Sequence, residues 1–239
     1  MADNLPATAF PAAIVDLENQ LVLLRQALDG RGAVRIVAMG SSSTAGRGDV
    51  VPYPYRLEMY LRHHFRDVVP RPGVRIDVLN RGRGGEEADD ELARFPADIF
   101  DEAPALVIWQ VGTNAVFHKD KYNVDVVAET IAKGLAQLRA RGFEAIVMDP
   151  QYVPMMLSDD RAELADKMVR LIRQAAHEAG ANLLQRWALM RHWHVQHDVP
   201  FEQLIDTTDE DRLHQSDWST RQVSIALTNA ILKAVGLTA

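Results

Sequence analysis

Five short apolar runs punctuate the chain: VRIVAM at 34–39, VRIDVL at 74–79, ALVIWQV at 105–111, EAIVMD at 144–149 and the weaker ANLLQ at 181–185. Each is rich in β-branched or large apolar residues, and the middle three lead into Asn, Gly or Pro, as strands buried on both faces do. Between the runs the apolar period becomes helical. In PYRLEMYLRHHF one face carries Leu57, Tyr60, Leu61 and His64; in VVAETIAKGLAQLRARG it carries Val127, Ile131, Leu135 and Leu138, with Gly142 as C-cap. SDDRAELADKMVRLIRQAAHEAG opens on Ser158 as N-cap, places Asp159 and Asp160 in the first turn, and stops at Gly180. TRQVSIALTNAILKAVG is a closing helix.

Strand alternating with helix predicts one parallel sheet with helices on both faces and right-handed crossovers. Ligands in such sheets sit beyond the carboxyl ends of the strands. One rim therefore collects the serine-rich loop after Gly40 and the loops from Asn80, Gly112 and Asp149. IVDLENQLVLLRQALDG reads as an amphipathic helix ahead of the first strand. Residues 1–33 are thus expected to form a helical extension packed on a single domain spanning 34–239, with no repeat, linker or low-complexity tract.

Composition narrows the function. The 26 basic and 33 acidic side chains give a net charge of -7, and no basic stretch is interleaved with aromatics, so nucleic acid is not an expected partner. The absence of cysteine removes disulfides and thiolate chemistry. No run approaches the length of a membrane span. The opening MADNLPATAFPAA has neither a basic n-region nor a continuous apolar core and is not a signal peptide. A cytoplasmic location follows if Met1 is the native start, and a periplasmic or secreted one if a leader has been removed. His192, His194 and His197 in RHWHVQH have no acidic partner at ligand spacing, so no metal is expected, and no cofactor.

The rim loops decide the chemistry. RIVAMGSSSTAGRGD is not a Walker loop: the glycine after Gly40 is Gly46, followed by Arg47 rather than lysine. Gly82, Gly84 and Gly85 miss the dinucleotide pattern, because its third glycine falls at Glu87. Acyl transfer needs a hydroxyl at an exposed turn, an imidazole in reach, a carboxylate to orient the imidazole, and N–H donors for the oxyanion. GSSSTAG, NRGRGG, VGTN and DRLH supply those parts in order. Taken alone, each has a plainer meaning. Ser41, Ser42 and Ser43 would be turn residues, and TTDEDRLH a helix start with Thr208 as cap and Asp211 completing a box-like pair.

Together the four blocks resemble the SGNH hydrolase superfamily, the GDSL-type esterases and lipases, across residues 35–237. The resemblance implies an α/β protein, a three-layer α/β/α sandwich on a flavodoxin-like five-stranded parallel sheet. It also implies roles. The nucleophile falls on Ser42, the oxyanion donors on the Ser42 and Gly85 N–H groups and the Asn114 amide, and the D-x-x-H carboxylate and base on Asp211 and His214. Three positions depart from the family pattern: Ser41 replaces the Asp before the nucleophile, Ala115 the Asp after the block-three Asn, and Arg212 the Gly of the last block. Arg81, Arg83, Gln151 and Tyr152 are the expected substrate contacts, and a polar entrance made of them suits a small-molecule or carbohydrate ester with a short acyl group. The expected activity is a serine esterase acting on acetyl-type esters. An O-acyltransferase using the same residues with a sugar hydroxyl as acceptor, or a non-catalytic carbohydrate-binding domain, are the alternatives.

Overall fold

The computed structural model describes residues 5–237; Met1 and the rest of residues 1–4, where the leading segment begins, lie outside the described residues. Five strands, β1 (Gly32–Gly40), β2 (Val74–Gly82), β3 (Leu106–Gln110), β4 (Ala145–Met148) and β5 (Asn182–Leu184), form one all-parallel sheet in the order β2-β1-β3-β4-β5. The helices are α1 (Ala12–Val15), α2 (Val22–Asp29), α3 (Ser42–Ala45), α4 (Tyr53–His63), α5 (Ala88–Ala93), α6 (Thr113–Phe117), α7 (Val124–Ala140), α8 (Ala162–Ala179), α9 (Arg186–Gln196), α10 (Phe201–Leu204) and α11 (Asp217–Ala234).

This strand order is the flavodoxin-like one. Because β1 connects to one side and β2 crosses back over it to β3, right-handed crossovers send α4 to one face and α5, α7 and α8 to the other. The packing follows: α4 lies on α11, and α7 on α8 and α5. The three layers bury β3 completely. Trp109, next to its carboxyl end, is fully buried, and it approaches α7 so closely that a Cβ on Gly134 would sit 2.5 Å from its ring. Gly134 is the reason a bulky indole and a helix share that space.

The strand order reverses between β1 and β3, and a ligand crevice opens there beyond the carboxyl ends. Ser42 opens α3 just past Ser41 and the end of β1, and Asn114 lies in the first turn of α6 after β3. The segment ahead of β1 is tied down: the Trp193 indole N–H donates to the Ala9 carbonyl (2.8 Å), the Leu21 N–H to Ala234 (3.1 Å), and Asn19 pairs with Asn182.

Three local expectations change. The segment IVDLENQLVLLRQALDG is two short helices, α1 and α2, and not one: the chain turns extended at Asp16 and resumes helix only at Val22. Helix α8 starts at Ala162, later than Ser158; the Ser158 hydroxyl turns to Asp160 (2.8 Å) while its carbonyl accepts from Arg161 and Ala162. Ser158 therefore closes a turn ahead of the helix instead of capping it. The stretch TTDEDRLH is not a helix start either. Asp206 Oδ1 takes the Thr208 N–H (2.9 Å) in an Asx turn, and Arg212 enters the left-handed region at φ 51°.

Candidate functional site

Two close approaches build the turn that carries Ser42. A Cβ on Gly82, at the end of β2, would lie 2.2 Å from the Ala45 nitrogen, so only glycine lets α3 sit against that strand. The following loop passes beside the serine: Arg83 N–H donates to the Gly40 carbonyl (2.9 Å), and a Cβ on Gly84 would be 3.9 Å from Ser42 Cβ. Ser42 opens α3, so its N–H has no intrahelical partner. Gly85 stands at φ 81°, and its N–H makes no hydrogen bond among the described residues. The Asn114 amide donates to the Glu86 carbonyl (2.7 Å), one residue past Gly85, which brings the third expected donor to the same patch.

Glu87, which sequence reasoning met only as a missing glycine, fastens this patch. Its buried carboxylate accepts the Ala88 and Gly112 N–H groups at 3.0 Å and the Ala115 N–H at 2.7 Å, joining the starts of α5 and α6. Burial pushes its pKa up and the three N–H donors oppose that. Glu91 beside it, buried and facing the charge of Glu87, is raised well above the usual carboxylate range while accepting the Trp109 indole N–H (2.7 Å).

Ser42 Oγ lies 2.9 Å from His214 Nε2. The other ring nitrogen, Nδ1, lies 2.9 Å from Asp209 Oδ2, and not from Asp211 as the D-x-x-H spacing implies. The turn at Arg212 breaks the helical spacing that would align Asp211 with the ring, so Asp211 is exposed while Asp209 folds inward and is 2% exposed. Asp209 Oδ2 also takes the Leu213 and His214 N–H groups (2.9 and 2.8 Å), and Oδ1 accepts from Arg47. Burial alone would raise its pKa. The His214 and Leu213 N–H groups, the Arg47 guanidinium and the ring instead hold it well below the usual carboxylate range. Arg47 is half-exposed, and its Nη1 also stands 2.8 Å from His214 Nδ1. Ser42, Arg47, Val50, Pro52, His214 and Thr220 border a pocket of about 20 Å³, room for about one water-sized group.

Of the expected substrate contacts, two are engaged elsewhere. Arg81 is ion-paired with Glu102 (2.5 Å), and Gln151 is fully buried, its amide donating to the Leu213 carbonyl (3.1 Å). Arg83 keeps only long contacts to Asp98 and Glu86 (3.7 and 4.0 Å) and is largely exposed. Tyr152 is half-buried, edge-on to Trp187 and stacked on Phe201. His192 and His194 bond the Thr8 and Val199 carbonyls. The described residues hold no group of three or more His, Cys, Asp or Glu suited to a metal ion, and none of their helices is long and apolar enough to cross a membrane.

Behind the rim lies another buried carboxylate. Asp149 Oδ1 accepts the Trp187 N–H (2.9 Å), while Oδ2 has no partner among the described residues. Burial pushes its pKa up to about 7, against the attraction of Arg186. In the unfolded chain this carboxyl ionises near pH 4, whereas the folded protein keeps its proton to about pH 7. Stability should therefore fall as pH rises through that window and level off above it, by up to about 4 kcal/mol from this group. Asparagine keeps the acceptor for Trp187 without ionising. In urea unfolding at a series of pH values, Asp149→Asn should gain on the parent between about pH 4 and 7; a constant offset would count against it.

The fold and site together define a parallel α/β protein with a serine–histidine–aspartate line on its carboxyl rim. The chain belongs to the non-GDSL lipase-like family, whose model matches residues 7–237. The uncharacterized lipoprotein YqeF of Bacillus subtilis (strain 168) is 26% identical over 132 residues, 54% of this chain; the match spans about half (53%) of that relative's length. Axe2, an acetylxylan esterase from Geobacillus stearothermophilus, superposes with a TM-score of 0.64 at 22% identity, over 87% of this chain and 96% of that one. LAE5, an alpha/beta hydrolase enzyme from the metagenome of Lake Arreo, Spain, gives 0.62 at 24% identity, over 89% and 100%. The architecture is shared with both.

Proposed function

We infer that this protein is a carboxylic ester hydrolase of the SGNH type that releases acetyl or similarly short acyl groups, with carbohydrate esters as its substrates. The observation that carries this is the line Ser42 Oγ, His214 Nε2, His214 Nδ1, Asp209 Oδ2, with both contacts at 2.9 Å. In the proposed cycle His214 takes the Ser42 proton as Oγ attacks the ester carbonyl, and ionised Asp209 holds Nδ1–H so that Nε2 is the base. The Ser42 and Gly85 N–H groups and the Asn114 amide receive the oxyanion. His214 then protonates the leaving alcohol, and water reverses the sequence to release the acid and restore Ser42.

The pocket of about 20 Å³ shared by Ser42 and His214 supports a short acyl group. The likeness in fold to an acetylxylan esterase supports an acetylated carbohydrate as the alcohol part. The test is a p-nitrophenyl ester series from acetate to decanoate, run beside acetylated xylo-oligosaccharides with the Ser42→Ala protein as blank. Turnover should be highest on acetate, fall with chain length and include the oligosaccharides. Activity rising toward decanoate would overturn the short-acyl assignment.

A further inference from the structure

Beneath the proposed site runs an unbroken line of buried polar groups. The Ser41 and Thr44 hydroxyls donate to Gln110 Oε1 (3.4 and 3.3 Å), and Gln110 Nε2 donates to Thr113 Oγ1 (3.2 Å). The Thr113 hydroxyl donates to Gln151 Oε1 (3.2 Å), and Gln151 Nε2 to the Leu213 carbonyl (3.1 Å). Ser41, the most exposed of the five residues, is only 3% exposed. Every donor points the same way, from the residue before Ser42 to the residue before His214.

The line has a cost that packing alone does not justify. Two amides and three hydroxyls in a parallel-sheet core are tolerated only while each has a partner, and apolar side chains of the same size need none. What it joins are segments far apart in sequence: the nucleophile turn after β1, the end of β3, the start of α6, the loop after β4, and the base loop. The base loop has other ties, among them the buried Arg186 guanidinium on Gln215 Oε1 (3.3 Å) and the Asp206 N–H on the His214 carbonyl (3.0 Å), but the Gln151 bond is the one that links the residue before His214 to the nucleophile turn. The loop is closed by the Ile205–Gln215 bridge, and its Arg212 carbonyl takes the Met155 N–H at 3.4 Å. We propose that Gln151, acting through Thr113 and Gln110, is a positioning residue that sets His214 against Ser42. Ser41 is the other end of the same device: a hydroxyl there donates to Gln110 Oε1, where a carboxylate would place negative charge against that acceptor oxygen.

The inference rests on the esterase reading above, and its test separates the two. Misplacing a base by a fraction of an ångström to 1 Å costs on the order of 10- to 100-fold. Gln151→Met keeps the volume and removes both bonds. It should lower kcat about tenfold or more with KM nearly unchanged, and slow fluorophosphonate labelling of Ser42 by the same factor. Ser41→Ala, at the far end and touching neither Gln151 nor Leu213, should act on the same step. The double variant should then lose little more than either single one, instead of the product of both losses. Additive losses, or a Gln151→Met enzyme with unchanged kcat and labelling rate, overturn the proposal. If Gln151→Met does not fold, Thr113→Val cuts the line without unpairing Leu213 and carries the same expectations. A parent protein that neither turns over esters nor labels at Ser42 refutes the esterase reading itself.

Discussion

Replacing Asp209 with asparagine is expected to lower kcat on acetyl esters by about three to four orders of magnitude, while Asp211→Asn stays within about twofold, as an exposed substitution with no hydrogen-bond partner among the described residues should. Asp209 has two sides in use: Oδ2 takes the ring N–H and two backbone N–H groups, and Oδ1 takes Arg47. An asparagine can satisfy only one. With its oxygen toward the ring, its NH₂ faces the Arg47 guanidinium, and the charge opposite the imidazolium is gone. With its oxygen toward Arg47, its NH₂ faces Nδ1 and drives the tautomer whose Nε2 already carries a proton and cannot act as base. Steady-state kinetics on the two purified variants, with circular dichroism to show both folded, decide between the carboxylates. Loss of activity in Asp211→Asn with Asp209→Asn active would reverse the assignment.

That pair marks where the sequence could be read and where it could not. The strands are legible because a parallel sheet covered on both faces requires continuous apolar runs, and VRIVAM, VRIDVL and ALVIWQV supply them. Ser42 and His214 meet because each sits in a short block next to a strand end or loop closure. The acid was harder. The segment from Asp209 to Asp211 offers three adjacent carboxylates, and the one that faces the ring is set by a non-helical loop in which Arg212 takes a positive φ that its residue type seldom adopts and Asp209 accepts the Leu213 and His214 N–H groups. Gln151 misleads for another reason. Polar residues at strand ends read as rim residues, and only the three-dimensional path from Ser41 to Leu213 shows that they satisfy each other inside. Arg47 and Glu87 carry no spacing signal. Their partners lie 162 and 25 residues away in sequence, on loops whose approach is a property of the sheet order.

Ser42→Ala should abolish ester hydrolysis, a loss on the order of 10⁵- to 10⁶-fold in kcat, whereas Ser43→Ala should remain within a few-fold of the parent. The two hydroxyls are neighbours in sequence with opposite surroundings. Ser42 Oγ is partly exposed at the crevice and 2.9 Å from an imidazole nitrogen whose ring partner is held by the Asp209 carboxylate. Ser43 Oγ is buried without a partner among the described residues, and removing an unpaired buried hydroxyl costs little stability. No oxygen at Ser43 can receive His214, so it cannot substitute for its neighbour. Fluorophosphonate labelling gives the same contrast without a substrate: one adduct on the parent and on Ser43→Ala, none on Ser42→Ala. A folded Ser42→Ala protein that still turned over p-nitrophenyl acetate would place the nucleophile elsewhere on the rim, and an adduct at Ser43 would reassign it to the next residue of α3.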